Sequence, residues 1–227
     1  MGKNNTESLT IQAYNILKER IIKMQLRPGE LILVQPLSKE LGISRTPVRE
    51  AIIKLEEEGF LEATESKKFR VTQLTIKNIL EIHEIRELIE LHCATKAAIK
   101  RKSSHIKKFN NLSSTMEKAL QENNTVKFFE ADMEFHSEII HLSNNQTLEN
   151  IMFQLTEKVQ RIRYITTHAY HRVEDTIAEH DDIIKAIEKQ NPEKAARAMK
   201  KHLTNVKQSV LKLFEDGTME LFGGVSF

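Results

Sequence analysis

The chain of 227 residues contains no tryptophan, one cysteine, four prolines and seven glycines. Because Cys93 is the only cysteine, no intrachain disulfide can form, which fits a reducing cytoplasm. Cys93 falls on an apolar helix face, so we expect a buried thiol rather than a reactive one. No apolar run reaches the roughly 18 residues that a membrane span needs. We therefore expect a cytoplasmic protein without a membrane partner.

The sequence also lacks an excess of either charge. Its 34 Lys and Arg residues nearly balance 32 Asp and Glu residues, for a formal net charge of +2. This charge is too small to indicate a nucleic-acid partner, so such a partner must be indicated by a local motif. The polar N-terminus has no apolar segment typical of a signal peptide.

Proline is scarce beyond the first fifty residues, which contain Pro28, Pro36 and Pro47. The fourth proline, Pro192, follows Asn191 in a pattern typical of a helix start. Beyond residue 75, apolar residues recur every three or four positions, which indicates helices. The long C-terminal part is therefore predicted to be helical throughout.

A charged stretch at residues 62–75 is the best domain boundary. It predicts a first domain at 1–72, an all-helical second domain at 73–215 and a tail at 216–227. Extended segments are expected at only two places. The patterns predict these elements: helices at 9–24, 35–41, 45–59, 75–101, 104–122, 125–143, 146–170, 172–190 and 192–215, and short strands near 60–63 and 69–72.

The segment Leu37–Glu62, LSKELGISRTPVREAIIKLEEEGFLE, predicts two short helices joined by a tight turn. Gly42 is placed to end the first helix, and Ser44 is placed to cap the second. Pro47 falls in the first turn of the second helix, where its missing N–H does no harm. Two helices joined in this way form a helix-turn-helix, and the hairpin behind them would be its wing.

Arg45, Thr46 and Arg49 occupy the start of the second helix, the part that meets the bases in helix-turn-helix proteins. Arginine offers a planar fork of donors that suits guanine edges and phosphates. The alternative is that both arginines pair with nearby glutamates. The acidic run Glu56–Glu58 lies at the other end of the helix and is interpreted as a solvated face. These residues predict a double-stranded DNA operator as a partner.

The segment SRTPVREAIIKLEEEGFLE closely resembles the winged helix-turn-helix of the GntR family of bacterial transcription regulators. The upstream segment AYNILKERIIKMQLRPGELI resembles the first helix and the proline-glycine turn of that family. The resemblance covers about residues 9–72. It implies DNA contacts at Arg45, Thr46 and Arg49.

Two positions depart from the pattern of the GntR family. Gln35 stands where many members have an arginine, just before the second helix. The wing tip, which usually bears glycine, reads Ser66, Lys67, Lys68. Lys67 and Lys68 are expected to contact phosphates as point charges and not to read bases.

The stretch Ala131–Ile140, ADMEFHSEII, predicts an amphipathic helix whose core-facing stripe carries two polar residues. Asp132 and His136 lie four positions apart, on the stripe that also contains Phe135 and Ile139. A buried carboxylate is costly unless it is paired or bound to a metal. We therefore expect a paired side chain or a metal ion beside Asp132 and His136 inside the bundle.

His180 and His202 also lie on apolar faces of their helices. Taken singly, each histidine is more often a satisfied core residue than a metal ligand. An i,i+4 pair such as Asp132 and His136, however, can supply two ligands from one helix face. Imidazole with carboxylate suits several divalent metals. The four residues therefore predict either a metal site or a buried polar network.

The joint pattern resembles the all-helical effector domain called FCD, which belongs to the FadR-type branch of the GntR family. The resemblance covers about residues 75–215, and six helices rather than seven look like the VanR-like subgroup. In its metal-binding members, an Asp-x3-His pair and two later histidines hold a divalent ion. The resemblance thus implies a divalent ion at the matching positions, which are Asp132, His136, His180 and His202. Imidazole with carboxylate suits Zn²⁺, Ni²⁺, Mn²⁺ or Fe²⁺, and the ligand set alone does not choose among them.

Arg86 is another charge that we predict to face the interior, on the stripe of Ile82 and Ile89. The resemblance implies a ligand-binding arginine in this R-x-x-[LI]-E context. An arginine fork and a metal with open positions would both bind a carboxylate, so a small organic acid is the expected effector. The alternative is a salt bridge from Arg86 to Glu90 or to a neighbouring helix.

Together the patterns predict a mainly α fold, with an N-terminal winged helix-turn-helix and a C-terminal six-helix antiparallel bundle. The leading functional interpretation is a homodimeric transcription regulator whose bundle binds a metal and an organic acid. A second is a regulator whose effector is the ion itself. A third, a metal-dependent hydrolase, is disfavoured because the sequence has no HExxH motif, phosphate loop or nucleophile elbow. We therefore do not expect an enzyme.

Overall fold

The computed structural model describes residues 2–65, 68–73, 75–170 and 172–216. Most of this part of the chain is helical, which confirms the mainly α fold class. It forms two compact units, one built on residues 1–76 and one on residues 77–215. Over the described residues, no helix combines the length and the apolar character that crossing a membrane requires.

Over the described residues, the strands all belong to the first unit, whereas the second unit is helical. The helices are α1 (Gly2–Ile22), α2 (Val34–Leu41), α3 (Arg45–Glu57), α4 (Ile76–Lys100), α5 (Ser103–Gln121), α6 (Thr125–Leu142), α7 (Gln146–Tyr170), α8 (Val173–Glu188) and α9 (Pro192–Glu215). The strands are β1 (Leu31–Ile32), β2 (Leu61–Ala63) and β3 (Phe69–Val71).

The first unit is a helix-turn-helix with a small sheet, and α3 packs against both α1 and α2. The inward face of α3 is the predicted one, and its fully buried residues are Val48, Ala51, Ile52 and Leu55. They share a core with Leu17 and Ile21 of α1. This packing fixes the orientation of α3, so that its other face points outward.

The turn between α2 and α3 follows the sequence prediction. Gly42 ends α2 with a φ of 65°, a left-handed conformation that residues with a Cβ rarely adopt. Its N–H donates to the carbonyl oxygen of Ser38. Ser44 has the extended conformation of an N-cap, although its side chain makes no capping hydrogen bond. Pro47 is buried in the first turn of α3.

The sheet has three strands in the order β1-β3-β2, with both pairs antiparallel. The expectation of only two extended segments is therefore wrong. The extra strand is β1, whose two residues are too few to show an alternating pattern. The preceding turn positions it, because Gly29 has a φ of 80° and its N–H donates to the Val71 carbonyl oxygen at 2.7 Å.

Every helix end lies within two residues of the prediction except the start of α1. α1 begins at Gly2 rather than at residue 9. A helix that is stabilised by packing can extend into residues without the regular spacing of apolar side chains from which helices are predicted. α3 ends at Glu57, ahead of Gly59, whose φ is 78°. Most of the predicted tail, residues 217–227, lies outside the described residues.

The second unit has its own apolar core. α5 packs against α6 and α8, α8 packs against α9, and α7 contacts α6 and α9. Phe109 of α5 and Phe135 of α6 meet edge to face, with ring centroids 5.5 Å apart. Cys93 of α4 is fully buried in this core, and burial raises the pKa of its thiol to about 11. The prediction of a buried thiol is therefore confirmed, and so high a pKa disfavours reactivity.

Candidate metal centre and DNA interface

Arg45, Thr46 and Arg49 are exposed at the N-terminal end of α3. Neither arginine forms a hydrogen bond or an ion pair with a described residue, so the alternative of pairing with nearby glutamates is not observed there. Two cations one helical turn apart thus project from a helix whose opposite face is held in a core. This arrangement is the one that a recognition helix requires.

The wing contributes one of its two predicted lysines to the described structure. Lys68 is exposed, and its carbonyl oxygen accepts a hydrogen bond from the Thr64 N–H at 2.7 Å. Lys67 lies outside the described residues. On the strands, Arg70 already pairs with Glu62 at 2.6 Å. Lys68 is therefore a candidate phosphate contact, whereas Arg70 is partly neutralised.

The acidic run at the end of α3 is only partly the solvated face that the sequence indicates. Glu58 accepts hydrogen bonds from Tyr14 at 2.7 Å and from Lys18 at 2.8 Å, both on α1. Partial burial alone would raise the pKa of the Glu58 carboxyl, but the hydrogen bonds from Lys18 and Tyr14 outweigh it and hold this pKa below its ordinary value. Glu58 thus ties the end of α3 to α1.

Three histidines from three helices converge inside the bundle. His136 of α6, His180 of α8 and His202 of α9 each place a ring nitrogen within 4.8 Å of the others. Their exposed fractions are 4%, 0% and 2% respectively. The His180 ring stacks on Phe135, with centroids 4.1 Å apart, so the aromatic core of the bundle positions this imidazole directly. The structure therefore brings together the three histidines that the sequence singles out.

Asp132 lies one helical turn before His136 and joins the same cluster. Its Oδ1 atom is 3.5 Å from His180 Nε2 and 3.8 Å from His136 Nε2. The carboxylate is buried, with 4% of the residue exposed. Asp132 thus lies beside two of the three histidines, and His136 and His180 both direct Nε2 at its carboxylate.

Glu90 of α4 contacts the other side of the His136 ring. Its Oε2 lies 2.5 Å from His136 Nδ1, while its Oε1 accepts a hydrogen bond from Arg86 Nε at 2.7 Å. Glu90 is completely buried, and Arg86 is 1% exposed. The salt bridge that the sequence left open for Arg86 is therefore present. The Arg86 Nη2 atom, also buried, makes no hydrogen bond with a described residue.

Glu179 of α8 occupies the corresponding place beside His202. Its Oε2 lies 2.8 Å from His202 Nδ1. Its Oε1 accepts hydrogen bonds from Arg172 Nη2 at 2.6 Å and from Asn205 Nδ2 at 2.7 Å. Sequence reasoning did not find Glu179, because it stands in the acidic segment AEHDD, which indicates a solvated helix face.

The donor set fits a divalent transition metal. Imidazole and carboxylate groups together bind Zn²⁺, Ni²⁺ and Mn²⁺, and a ligating histidine commonly donates its second N–H to a carboxylate. His136 and His202 each have a carboxylate at Nδ1.

A cavity of about 620 Å³ lies between α6 and α7 and reaches the cluster. Glu90 and His136 line it, whereas Arg86 does not. α7 also carries Arg161, which is 3% exposed and whose pKa is lowered to about 10 by burial. Neither the cavity nor the burial of Arg161 was expected from the sequence. The cavity borders His136 on the side of α7.

Comparisons with known proteins agree with both units. Residues 9–71 match the family model of bacterial regulatory proteins of the gntR family, and residues 81–205, more than half of the chain, match that of the FCD domain. The HTH-type transcriptional regulator YdhC of Bacillus subtilis is 27% identical, over 91% of this chain and 93% of its own length. The HTH-type transcriptional repressor RspR of Escherichia coli is 26% identical, over 95% of this chain and 94% of its own.

Among solved structures, McbR/YncC of Escherichia coli is similar to this chain with a TM-score of 0.76. It is 21% identical, and the match covers 91% of this chain and 98% of that protein. At this level of identity the likeness shows a shared fold. The two family matches carry the assignment: this chain is a transcription regulator, not an enzyme, and belongs to the GntR family with an FCD domain as its second unit.

Proposed function

We propose that this regulator reads its operator through the start of α3. Arg45, Thr46 and Arg49 are exposed there, and this end of the second helix enters the major groove in helix-turn-helix proteins. Guanidinium forks suit guanine edges and nearby phosphates. Lys67 and Lys68 of the wing add phosphate contacts, which strengthen binding without reading sequence.

In the second unit, Asp132, His136, His180 and His202 hold one divalent metal ion, Zn²⁺, Ni²⁺ or Mn²⁺. The observation that carries this proposal is the convergence of three buried histidine nitrogens within 4.8 Å. A buried carboxylate beside them is costly unless a positive charge compensates it, and the ion supplies that charge. Because the ligands come from α6, α8 and α9, the ion also stabilises the bundle.

The proposed effector is a small organic acid. Its carboxylate would occupy an open position on the ion. Arg86 supports the same class of ligand, because its buried Nη2 makes no hydrogen bond with a described residue. Arg86 does not line the cavity beside His136.

The regulator acts in the cytoplasm as a homodimer. Twofold dimers are the commonest homo-oligomers, and such a dimer presents two recognition helices to two half-sites. The operator is therefore a palindrome, and bound acid changes the relative pose of the two DNA-binding units.

Selection of duplexes from a random library, followed by affinity measurements, tests this proposal. Metal-loaded protein should enrich a palindromic site and bind it with two chains. At fixed metal concentration, one acid from a panel should change the affinity for that site. If the double variant Arg45→Ala, Arg49→Ala bound the enriched site as tightly as the wild type, α3 would not be the recognition helix.

A second candidate is a regulator whose effector is the ion itself. Four protein ligands complete a tetrahedral site and leave no position for an acid, which favours this alternative for zinc. The same affinity measurement separates the acid-responsive regulator from the metal-responsive one. If the ion is the effector, metal alone changes the affinity for the operator, and no acid changes it further.

A further inference from the structure

We propose that Glu90 and Glu179 are positioning residues for the metal ion. Each carboxylate fixes one ligand histidine so that its Nε2 atom faces the ion. This proposal rests on the proposed metal site and concerns residues outside the four ligands. It explains why two buried carboxylates flank a cluster that already contains Asp132.

The contact between Glu90 and His136 determines which ring nitrogen is directed at the proposed ion. An ionised carboxylate only accepts hydrogen bonds, so the His136 Nδ1 atom, 2.5 Å from Glu90 Oε2, must carry the proton. The lone pair of the ring is then on Nε2, the atom that faces Asp132 at 3.8 Å. Glu90 therefore selects the tautomer that binds a metal at the centre of the cluster.

Glu179 acts on His202 in the same way from a different helix. The Nδ1 atom of His202 lies 2.8 Å from Glu179 Oε2, which leaves Nε2 as the nitrogen without the proton. Three donors fix this carboxylate, because Arg172 and Asn205 both donate to its other oxygen. The His202 ring is thus held by a group whose own position is fixed.

The two arrangements repeat one pattern, in which an arginine holds a glutamate and the glutamate holds a histidine. Arg86 pairs with Glu90 at 2.7 Å, and Arg172 pairs with Glu179 at 2.6 Å. Each arginine offsets the cost of burying a carboxylate beside a histidine. His180 is positioned differently, by stacking on Phe135.

The test measures zinc affinity in variants that keep the shape of each side chain. Glu90→Gln and Glu179→Gln should each weaken zinc binding about 10- to 100-fold, the usual cost of losing such a partner. Affinity is measured by competition with a chromophoric chelator, on full-length protein stripped of metal. Glu84→Gln in α4 and Glu174→Gln in α8 remove the same charge at exposed positions, so they should leave the affinity unchanged.

A second measurement on the zinc-loaded wild-type protein does not depend on how the variants fold. Long-range nitrogen–proton NMR spectra should show His136 and His202 protonated at Nδ1 and ligated through Nε2. Ligation through Nδ1 in either ring would overturn the proposal, as would folded glutamine variants that bind zinc like the wild type. If the wild-type protein itself takes up no zinc, the metal site fails as well, so the two failures are distinguishable.

Discussion

Asp132 and His136 are polar residues on a stripe that the bundle buries completely. Their neighbours Phe135 and Ile139 are both fully buried, so this stripe of α6 faces the core and its polar groups lie away from solvent. In such surroundings an unpaired carboxylate is costly, and each of the polar groups must be matched by another. The residues around the cluster supply imidazoles, and behind them further carboxylates and guanidinium groups.

Replacing His136 by Ala removes one proposed ligand from α6. Chelation should lower the melting temperature of the wild-type protein, and the variant should lose most of this metal-dependent difference. Calorimetry with and without a chelator measures it. His141, 71% exposed on the same helix, provides the control, and His141→Ala should keep the full difference. A difference of wild-type size in His136→Ala would exclude His136 as a ligand.

Arg86→Ala should destabilise the bundle strongly, because Glu90 would remain buried without its arginine. Breaking a buried ion pair on one side costs about 3–5 kcal/mol in the free energy of unfolding. Lys77 of α4 is exposed and lies 3.9 Å from Glu81, so Lys77→Ala is a matched control that should change little. Urea denaturation compares the two. A loss of less than about 1 kcal/mol, the net contribution of one hydrogen bond, would show that Glu90 does not need Arg86.

Among the elements, α3 serves two purposes on two faces. Its buried face holds the first unit together, while its exposed N-terminal end presents Arg45 and Arg49. At its other end, Glu58 links it to α1. The two ends can therefore be tested separately, one by DNA binding and one by stability.

Arg49→Ala should weaken binding to the selected operator by about 1–3 kcal/mol, because one base or phosphate contact is lost. The fold should not change, since the side chain is exposed. Titration of labelled operator measures the affinity, and Arg197→Ala, an exposed arginine of α9, is the control. Unaltered operator affinity in Arg49→Ala would refute the role of this residue.

Glu58→Gln should make the chain less sensitive to acid. Because the folded-state pKa of Glu58 lies below its ordinary value of 4.5, its stabilising effect is present above that value and is lost as the pH falls through the folded-state pKa. At pH 7 the variant should be less stable by about 1 kcal/mol. The difference from the wild type should shrink below about pH 4.

Denaturation curves collected between about pH 3 and about pH 7 follow this difference. Glu57→Gln, which changes the neighbouring exposed carboxylate, serves as the control. A constant difference between wild type and Glu58→Gln over the whole range would mean that the Glu58 carboxylate is not stabilised by Lys18 and Tyr14.

For the molecule as a whole, the sequence was most informative where a residue type has one structural use. Gly42, with its left-handed conformation, and the apolar face of α3 define the helix-turn-helix locally. The i,i+4 spacing of Asp132 and His136 places both on one face of a helix, whatever its neighbours are. These features could be predicted because each depends on a few adjacent residues.

What could not be predicted depends on contacts between distant segments. β1 exists because Leu31 and Ile32 pair with β3. Two residues are too few to show the alternation of apolar and polar side chains from which a strand is predicted. Glu179 precedes His180 by one residue, and only the packing of α9 against α8 brings His202 to it. The cavity beside His136 depends equally on how α7 lies along α6. A single sequence does not specify such distances.

Metal content is the measurement that tests the central claim of this account most directly. Protein purified without chelator and analysed by native mass spectrometry and elemental analysis should contain one divalent ion per chain. The double variant His180→Ala, His202→Ala should contain none. Wild-type protein that holds no divalent ion, and takes up none when offered zinc, nickel or manganese, would contradict the account. Asp132, His136, His180 and His202 would then be a buried polar network.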